Sequence, residues 1–196
     1  MPRWINVPNG FTLLRVLLVP FVVAEILRGR SVLALALFAA ASATDVLDGA
    51  AARRLAQVTR AGAYLDPIAD KCLLSGVFLA LAFARAVPWW LLAVIFGRDL
   101  FILLGAAVLW LLSERSFPPS VWGKISTFVQ VSTALAWMAR AAFPASPIVH
   151  FSSAMLWPCA ASTIWSGMHY AWRAVQAPRR SGAKPSGLPP GFGPAS

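Results

Sequence analysis

Long apolar runs make up most of this chain, and prolines, glycines or charged residues separate one run from the next. A helix that crosses a bilayer needs about 20 mostly apolar residues. Six helices of this kind are predicted, over residues 10–27, 31–54, 62–85, 88–112, 120–142 and 147–176. The pattern therefore predicts an all-α fold, an integral membrane bundle of six transmembrane helices.

The two ends of the chain differ from the apolar part. The first residues, "MPRWINVPNG", are expected to form a short interfacial segment at the membrane surface. The last ones, "PRRSGAKPSGLPPGFGPAS", are rich in proline, glycine and serine and cannot bury a core. We therefore expect a membrane domain over residues 1–177 and a disordered cytoplasmic tail over residues 178–196.

The composition agrees with a membrane protein. Hydrophobic residues make up 59% of the 196 residues and charged residues 12%, whereas soluble domains carry about 25% charged residues. The net charge of +10 does not indicate nucleic acid, because the basic residues lie at the ends of apolar runs. That placement is typical of a membrane protein that contacts anionic lipid.

The basic residues also predict the orientation, because lysine and arginine are in excess on the cytoplasmic side of membrane proteins. Cytoplasmic termini place most of them on that side, whereas Arg28, Arg30, Arg85 and Arg140 fall on the other. We expect an integral protein of a bacterial inner membrane whose site faces the cytoplasm.

Four of the seven acidic residues lie in one stretch, "DVLDGAAARRLAQVTRAGAYLDPIAD". Asp45 and Asp48 are three positions apart near the end of the second helix, and Asp66 and Asp70 are four apart near the start of the third. Residues at these spacings share one helix face. A short link joins the two helices, so the four carboxylates are expected to converge.

Four converging carboxylates repel one another and resist desolvation unless cations neutralise them. All-oxygen ligands favour Mg²⁺, Mn²⁺ or Ca²⁺, and metal pairs are common in displacement at phosphorus. Gly49 and Gly62 would let a bulky ligand approach the backbone, and Arg53 could pair with phosphate. Two other interpretations are solvated helix ends with internal ion pairs and the ion pathway of a transporter.

The acidic stretch resembles the signature of the CDP-alcohol phosphatidyltransferase family, D-x2-D-G-x2-A-R-x8-G-x3-D-x3-D. The matching residues are Asp45, Asp48, Gly49, Ala52, Arg53, Gly62, Asp66 and Asp70. Every position of the signature is present, and the resemblance extends to the six-helix plan.

This resemblance implies transfer of a phosphatidyl group from CDP-diacylglycerol to an alcohol, with release of CMP. It implies two Mg²⁺ or Mn²⁺ ions per site, and it makes Asp70 the catalytic base. The metal ligands it implies are Asp45, Asp48, Asp66 and Asp70. The CDP-lipid ligands it implies include Gly49, Ala52, Arg53, Thr59 and Gly62. A homodimer is also expected from the family.

The start of the first helix, "PNGFTLLR", resembles the phosphatidylglycerophosphate synthase and cardiolipin synthase branches of the family. In those branches Asn9 and Thr12 would lie beside the nucleotide. The alternative is a plain helix start with Asn9 as its N-cap. Arg15 lies one turn inside this helix and is expected to face the bundle, since an unpaired charge in lipid is costly.

Three cations, Arg98, Lys124 and Arg115, are candidates for binding an acceptor phosphate. Arg98, in "GRDL", either binds acceptor or forms a structural ion pair with Asp99. Lys124, in "WGKIST", either binds acceptor or extends to the membrane surface. Cations favour sn-glycerol 3-phosphate as the acceptor, with phosphatidylglycerol, which would yield cardiolipin, as the alternative.

Overall fold

The computed structural model describes residues 7–55, 60–111 and 120–176. Within these ranges the chain forms six helices and no strands, which confirms the all-α prediction. The helices are α1 (Val7–Leu27), α2 (Ser31–Leu55), α3 (Arg60–Phe83), α4 (Trp89–Leu111), α5 (Val121–Ala142) and α6 (Ser146–Gln176). Apolar periodicity and the prolines between runs therefore located every helix to within a turn.

Some of the expectations fall on other parts of the chain. Residues 1–6 of the predicted interfacial segment and the predicted tail, residues 178–196, lie outside the described residues. In the part of the chain that is described, no helix combines the length and the apolar character needed to cross a membrane.

The turn from α1 to α2 is closed by backbone hydrogen bonds around a left-handed glycine. Gly29 has a φ of 74°, its N–H donates to the carbonyl of Ile26 at 3.0 Å, and the N–H of Arg30 donates to that of Glu25 at 2.9 Å. This pair of bonds is the Schellman motif, which satisfies carbonyls that the helix end leaves open. The helix ends here because glycine adopts this conformation without steric cost.

The turn from α3 to α4 repeats the motif without glycine. The N–H of Ala86 donates to the carbonyl of Leu81 at 2.8 Å, and the N–H of Arg85 donates to that of Ala82 at 3.0 Å. Arg85 therefore occupies the left-handed position, with a φ of 55°. A side chain there meets the following carbonyl, which costs about 1–2 kcal/mol.

The buried core lies where all six helices meet. α1 packs against α2 and α3, and α5 packs against α2 and α6. Large apolar side chains that are almost fully buried fill the space between them, including Val22, Phe38, Phe78, Leu91 and Met138. The core therefore holds α1 between the two helices that carry the acidic stretch.

Gly76 allows α1 and α3 to pack closely. A Cβ at this position would lie 3.2 Å from Cγ1 of Val19 and 3.3 Å from Cγ2 of Val23. Both distances are shorter than most Cβ contacts, so an alanine here would require the valine side chains to shift by a few tenths of an ångström. Gly76 therefore favours close packing of α3 against this part of α1.

The buried carboxylate of Glu25 lies at the far end of α1. It accepts a hydrogen bond from Arg28 at 2.7 Å, and Nη1 of Arg30 lies 3.5 Å from its other oxygen. Arg28 and Arg30 are on the side of the bundle that the orientation rule predicts to be poor in arginine. The structure gives a reason for their position, since both are counter-ions of Glu25.

We expect Arg85→Gly to raise the free energy of unfolding by about 1 kcal/mol, because it removes the left-handed strain. Gly29→Ala is the matched control and should lower it by a similar amount, since it introduces that strain into the other turn. Thermal unfolding of the purified variants, followed by circular dichroism, measures both changes. Shifts of the same sign in the two variants would contradict this account.

Candidate active site

The structure places the acidic stretch on two helices. Asp45, Asp48, Gly49, Ala52 and Arg53 belong to the last half of α2, and Gly62, Asp66 and Asp70 belong to the first half of α3. The helical backbone therefore puts each aspartate pair on one face, at spacings of three and four residues. Asn9 and Thr12 fall in the first turns of α1.

Only part of this predicted site can be described atom by atom. Thr59 lies outside the described residues, as do the side chains of the other predicted ligands of the metals and the CDP-lipid, with Asp70 as the exception. Their assignment remains a prediction. Asp70, Arg98 and Lys124 are the predicted site residues whose side chains the structure describes.

Asp70 is paired with an arginine from α1. The guanidinium of Arg15 donates a hydrogen bond to Oδ1 of Asp70. The Arg15 side chain is only 4% exposed, whereas that of Asp70 is 39% exposed. The prediction that Arg15 faces the bundle is confirmed, and the buried cation holds one oxygen of a carboxylate that solvent or substrate can still reach.

The donor set is chemically suited to divalent cations. Four carboxylates on two helices offer only oxygen ligands, which Mg²⁺ and Mn²⁺ prefer. Among the side chains that the structure describes, no group of three or more histidines, cysteines or acids could hold a metal ion. The side chains of Asp45, Asp48 and Asp66 lie outside the described residues, so this finding does not concern them.

A second charged cluster joins α3 to α4 directly beside Asp70. Nζ of Lys71 lies 2.6 Å from Oδ1 of Asp99, and Nη1 of Arg98 donates to the same oxygen at 2.9 Å. The Arg98 and Asp99 side chains are 12% and 17% exposed. The structural ion pair considered for "GRDL" is therefore present, and two cations share one carboxylate, which leaves the cluster with an excess positive charge.

Arg98 also reaches α6, through a narrow space between two glycines. Its Nη2 donates to the hydroxyl of Ser166 at 2.7 Å. A Cβ on Gly123 would lie 3.4 Å from Nη2, and a Cβ on Gly167 would lie 3.4 Å from Cγ of Arg98. The "GRDL", "WGKIST" and "SGMHY" stretches, which the sequence presents separately, thus meet at one guanidinium.

The start of α5 is fixed to the end of α6 beside this cluster. The backbone N–H of Ser120 donates to the hydroxyl of Tyr170 at 3.0 Å, and the Ser120 hydroxyl lies 3.2 Å from Nδ1 of His169. The Arg98 guanidinium carbon lies 5.8 Å from the centre of the Tyr170 ring. Cations are attracted to aromatic faces at this distance, so Tyr170 helps to hold both Arg98 and the start of α5.

Lys124 lies in the first turn of α5, next to Gly123. Its side chain is exposed, and its backbone N–H bonds to the carbonyl of Ser120 at 3.3 Å. The residue before it therefore contacts Arg98, while its own ammonium group points outward. Both of its interpretations, acceptor binding and extension to the membrane surface, fit this position.

Sequence reasoning did not identify Lys71 or assign roles to Ser166 and Tyr170. Lys71 follows Asp70 directly, and charges are scarce in the apolar runs, so an isolated lysine could have signalled a partner on another helix. The partners themselves are 28 and 68 residues apart in the pairs Lys71–Asp99 and Arg98–Ser166. Helix spacing alone cannot show such contacts.

A model of the CDP-alcohol phosphatidyltransferase family matches residues 5–165. This match covers most of the chain, including the acidic stretch, Arg98 and Lys124. The chain belongs to the CDP-alcohol phosphatidyltransferase family, as the aspartate signature predicted.

Several curated proteins are similar to this chain. A Mycobacterium tuberculosis (strain H37Rv) protein named probable phosphatidylglycerophosphate synthase is 34% identical over 183 residues, covering 89% of this chain and 84% of that protein. The Escherichia coli (strain K12) CDP-diacylglycerol–glycerol-3-phosphate 3-phosphatidyltransferase is 34% identical over 174 residues, with coverages of 84% and 92%. A probable CMP-forming cardiolipin synthase of Drosophila melanogaster is 33% identical over 145 residues, with coverages of 65% and 45%.

We expect Arg15→Met to lower the free energy of unfolding by about 1.5–3 kcal/mol, the usual contribution of a hydrogen bond to a charged group. Arg28→Met is the control for an exposed arginine: its side chain is 62% exposed, and Arg30 stays 3.5 Å from the buried Glu25 carboxylate after its removal, so we expect a loss of about 1 kcal/mol or less. Denaturant unfolding of both variants provides the comparison. Equal destabilisation by the two substitutions would show that the Arg15–Asp70 pair does not stabilise the fold.

Proposed function

We propose that this chain is a membrane enzyme that transfers a phosphatidyl group from CDP-diacylglycerol to sn-glycerol 3-phosphate and releases CMP. One observation carries the proposal: the complete aspartate signature lies on two helices, α2 and α3, of a chain that belongs to this family. The names of the bacterial relatives supply the reaction class and the acceptor.

The surface of the helices supports a location in the membrane. Large apolar side chains are more than 60% exposed on several helices, including Leu13, Leu103, Phe128 and Trp157. Soluble proteins rarely expose apolar patches of this extent. Exposed tryptophans also pair, such as Trp122 with Trp165 at 5.8 Å between ring centres, and aromatic side chains of this kind favour the membrane–water interface.

The proposed reaction begins with a proton transfer to Asp70. Its carboxylate takes the proton of the acceptor hydroxyl, and the oxygen attacks the phosphorus that bears the diacylglycerol. A phosphorus–oxygen bond to the acceptor forms, the bond to the CMP phosphate breaks, and CMP leaves. Arg15 supports this role because it is buried and bonded to one oxygen of Asp70, which restricts the orientation of the carboxylate.

Asp45, Asp48, Asp66 and Asp70 would hold the two divalent ions, Mg²⁺ or Mn²⁺. Bound there, such ions would neutralise charge on the pyrophosphate of the CDP-lipid. The ligands proposed for the CDP-lipid are Asn9, Thr12, Gly49, Ala52, Arg53, Thr59 and Gly62. The site would thus combine a lipid donor with a water-soluble acceptor, which suits a position at the cytoplasmic membrane surface.

The cluster around Arg98 supports a phosphorylated acceptor. It carries two cations for one carboxylate, and Lys124 follows the glycine that contacts Arg98. An excess of positive charge favours a phosphate group over a neutral alcohol. Phosphatidylglycerol, which also carries a glycerol phosphate, is the alternative acceptor, and the name of the Drosophila relative favours it.

CMP release from CDP-diacylglycerol is expected with Mn²⁺ or Mg²⁺ and glycerol 3-phosphate, and it should stop when a chelator removes the metal. Parallel reactions with phosphatidylglycerol, inositol phosphate, inositol and serine measure the choice of acceptor. Release with phosphatidylglycerol alone would assign the chain to cardiolipin synthesis. Ion flux through reconstituted vesicles without CMP release would instead support a transporter.

Asp70→Asn is expected to lower kcat by at least about a hundredfold, since general bases contribute 10²–10⁴-fold. The asparagine keeps the size of the side chain but cannot accept the proton. Binding of CDP, measured by calorimetry in the presence of Mn²⁺, should remain detectable and serves as the control for folding. Turnover at the rate of the unsubstituted protein would exclude Asp70 as the base.

A further inference from the structure

Ser166 differs from the other hydroxyl residues of α6. Ser152, Ser153, Ser162 and Thr163 each donate to a carbonyl of the preceding turn. Ser166 is fully buried and accepts a hydrogen bond from Arg98 on α4 at 2.7 Å, whereas Ser153, which accepts one from Arg140 on α5, is exposed. The Ser166 hydroxyl therefore connects two helices at a charged group.

Arg98 is held at both of its terminal nitrogens. Nη1 bonds to Asp99, and Nη2 bonds to Ser166. Gly123 and Gly167 border the side chain, and a methyl group at either position would lie in ordinary van der Waals contact with it. Since Asp99 is shared with Lys71, the guanidinium cannot turn towards a new ligand without losing bonds on two sides.

One donor of this fixed guanidinium is buried and not used. Nε of Arg98 has no hydrogen-bond partner among the described residues. A buried donor without a partner costs about 1–3 kcal/mol. An anionic oxygen would remove this cost and would also balance the excess positive charge of the cluster.

Ser166 and Tyr170 lie on α6, whereas the aspartates of the signature belong to α2 and α3. Both contact Arg98. The α6 contacts therefore act on the cation proposed for the acceptor, not on the aspartates proposed for the transfer step.

We propose that Ser166 is a specificity-determining positioning residue, which holds Arg98 so that its guanidinium binds the phosphate of the acceptor. The inference rests on the proposed function and extends it to the choice between phosphorylated and neutral alcohols. A pocket whose buried polar groups require a partner rejects a substrate that lacks it. Inositol and serine, which carry no phosphate, would leave Nε of Arg98 without a partner.

The test compares Ser166→Ala with Ser162→Ala in the CMP-release assay. Ser162 lies one turn earlier on α6, and its hydroxyl bonds to the carbonyl of Cys159 at 3.1 Å, so its loss should leave the kinetics unchanged. Ser166→Ala is expected to raise the KM for glycerol 3-phosphate roughly tenfold, as loss of a hydrogen bond to a charged group implies. The KM for CDP-diacylglycerol and the kcat should each stay within about twofold of the values for the unsubstituted protein, because a twofold change corresponds to only a small free-energy difference.

A double substitution tests whether Ser166 acts through Arg98. In an Arg98→Ala background, Ser166→Ala should have no further effect on the KM for glycerol 3-phosphate, because the residue it positions is absent. Independent effects of the two substitutions would overturn the proposal. An equal loss in kcat and in both KM values would overturn it too, since that result indicates a general structural role.

Binding without turnover distinguishes this proposal from the proposed reaction. Glycerol 3-phosphate should raise the thermal midpoint of the unsubstituted protein and of Ser162→Ala, and should raise that of Ser166→Ala less at the same concentration. This pattern without CMP release would contradict the reaction but support the anion site. Equal shifts in all three proteins would overturn the role of Ser166.

Discussion

A charge buried between apolar helices needs a partner on a neighbouring helix, because desolvation of an unpaired charge is costly. This constraint organises the bundle. Asp70 faces Arg15 on α1, and the next residue, Lys71, faces Asp99 on α4. Two consecutive residues of α3 thus bind two different helices, and the apolar core packs around these contacts.

The same contacts connect the two halves of the proposed reaction. Asp70 is adjacent to Lys71, and Arg98 is adjacent to Asp99, so the Lys71–Asp99 pair links the base to the cation proposed for the acceptor. Ser166 then extends the link to α6. The residues proposed for the reaction, Asp70 and Arg98, are thus next in the chain to residues that join helices, Lys71 and Asp99. This proximity explains why the charged residues of α3 and α4 occur in pairs.

The sequence alone predicted the six helices well, because apolar runs of this length and the prolines between them are local signals. It also predicted the inward orientation of Arg15, from the cost of an exposed charge in lipid. The shared cluster of Lys71, Arg98 and Asp99 could not be predicted, since it depends on how α3, α4 and α6 pack. The position of Gly123 and Gly167 next to the Arg98 side chain could not be predicted either, because it depends on the same packing.

The Schellman turns limit how the bundle can deform. Short links of residues 28–30, 84–88 and 143–145 join α1 to α2, α3 to α4, and α5 to α6, and backbone bonds close the first two tightly. These short links hold the joined ends of each helix pair together. Any opening of the bundle is therefore expected at the other ends of the helices, where the last half of α2 and the first half of α3 carry the acidic stretch.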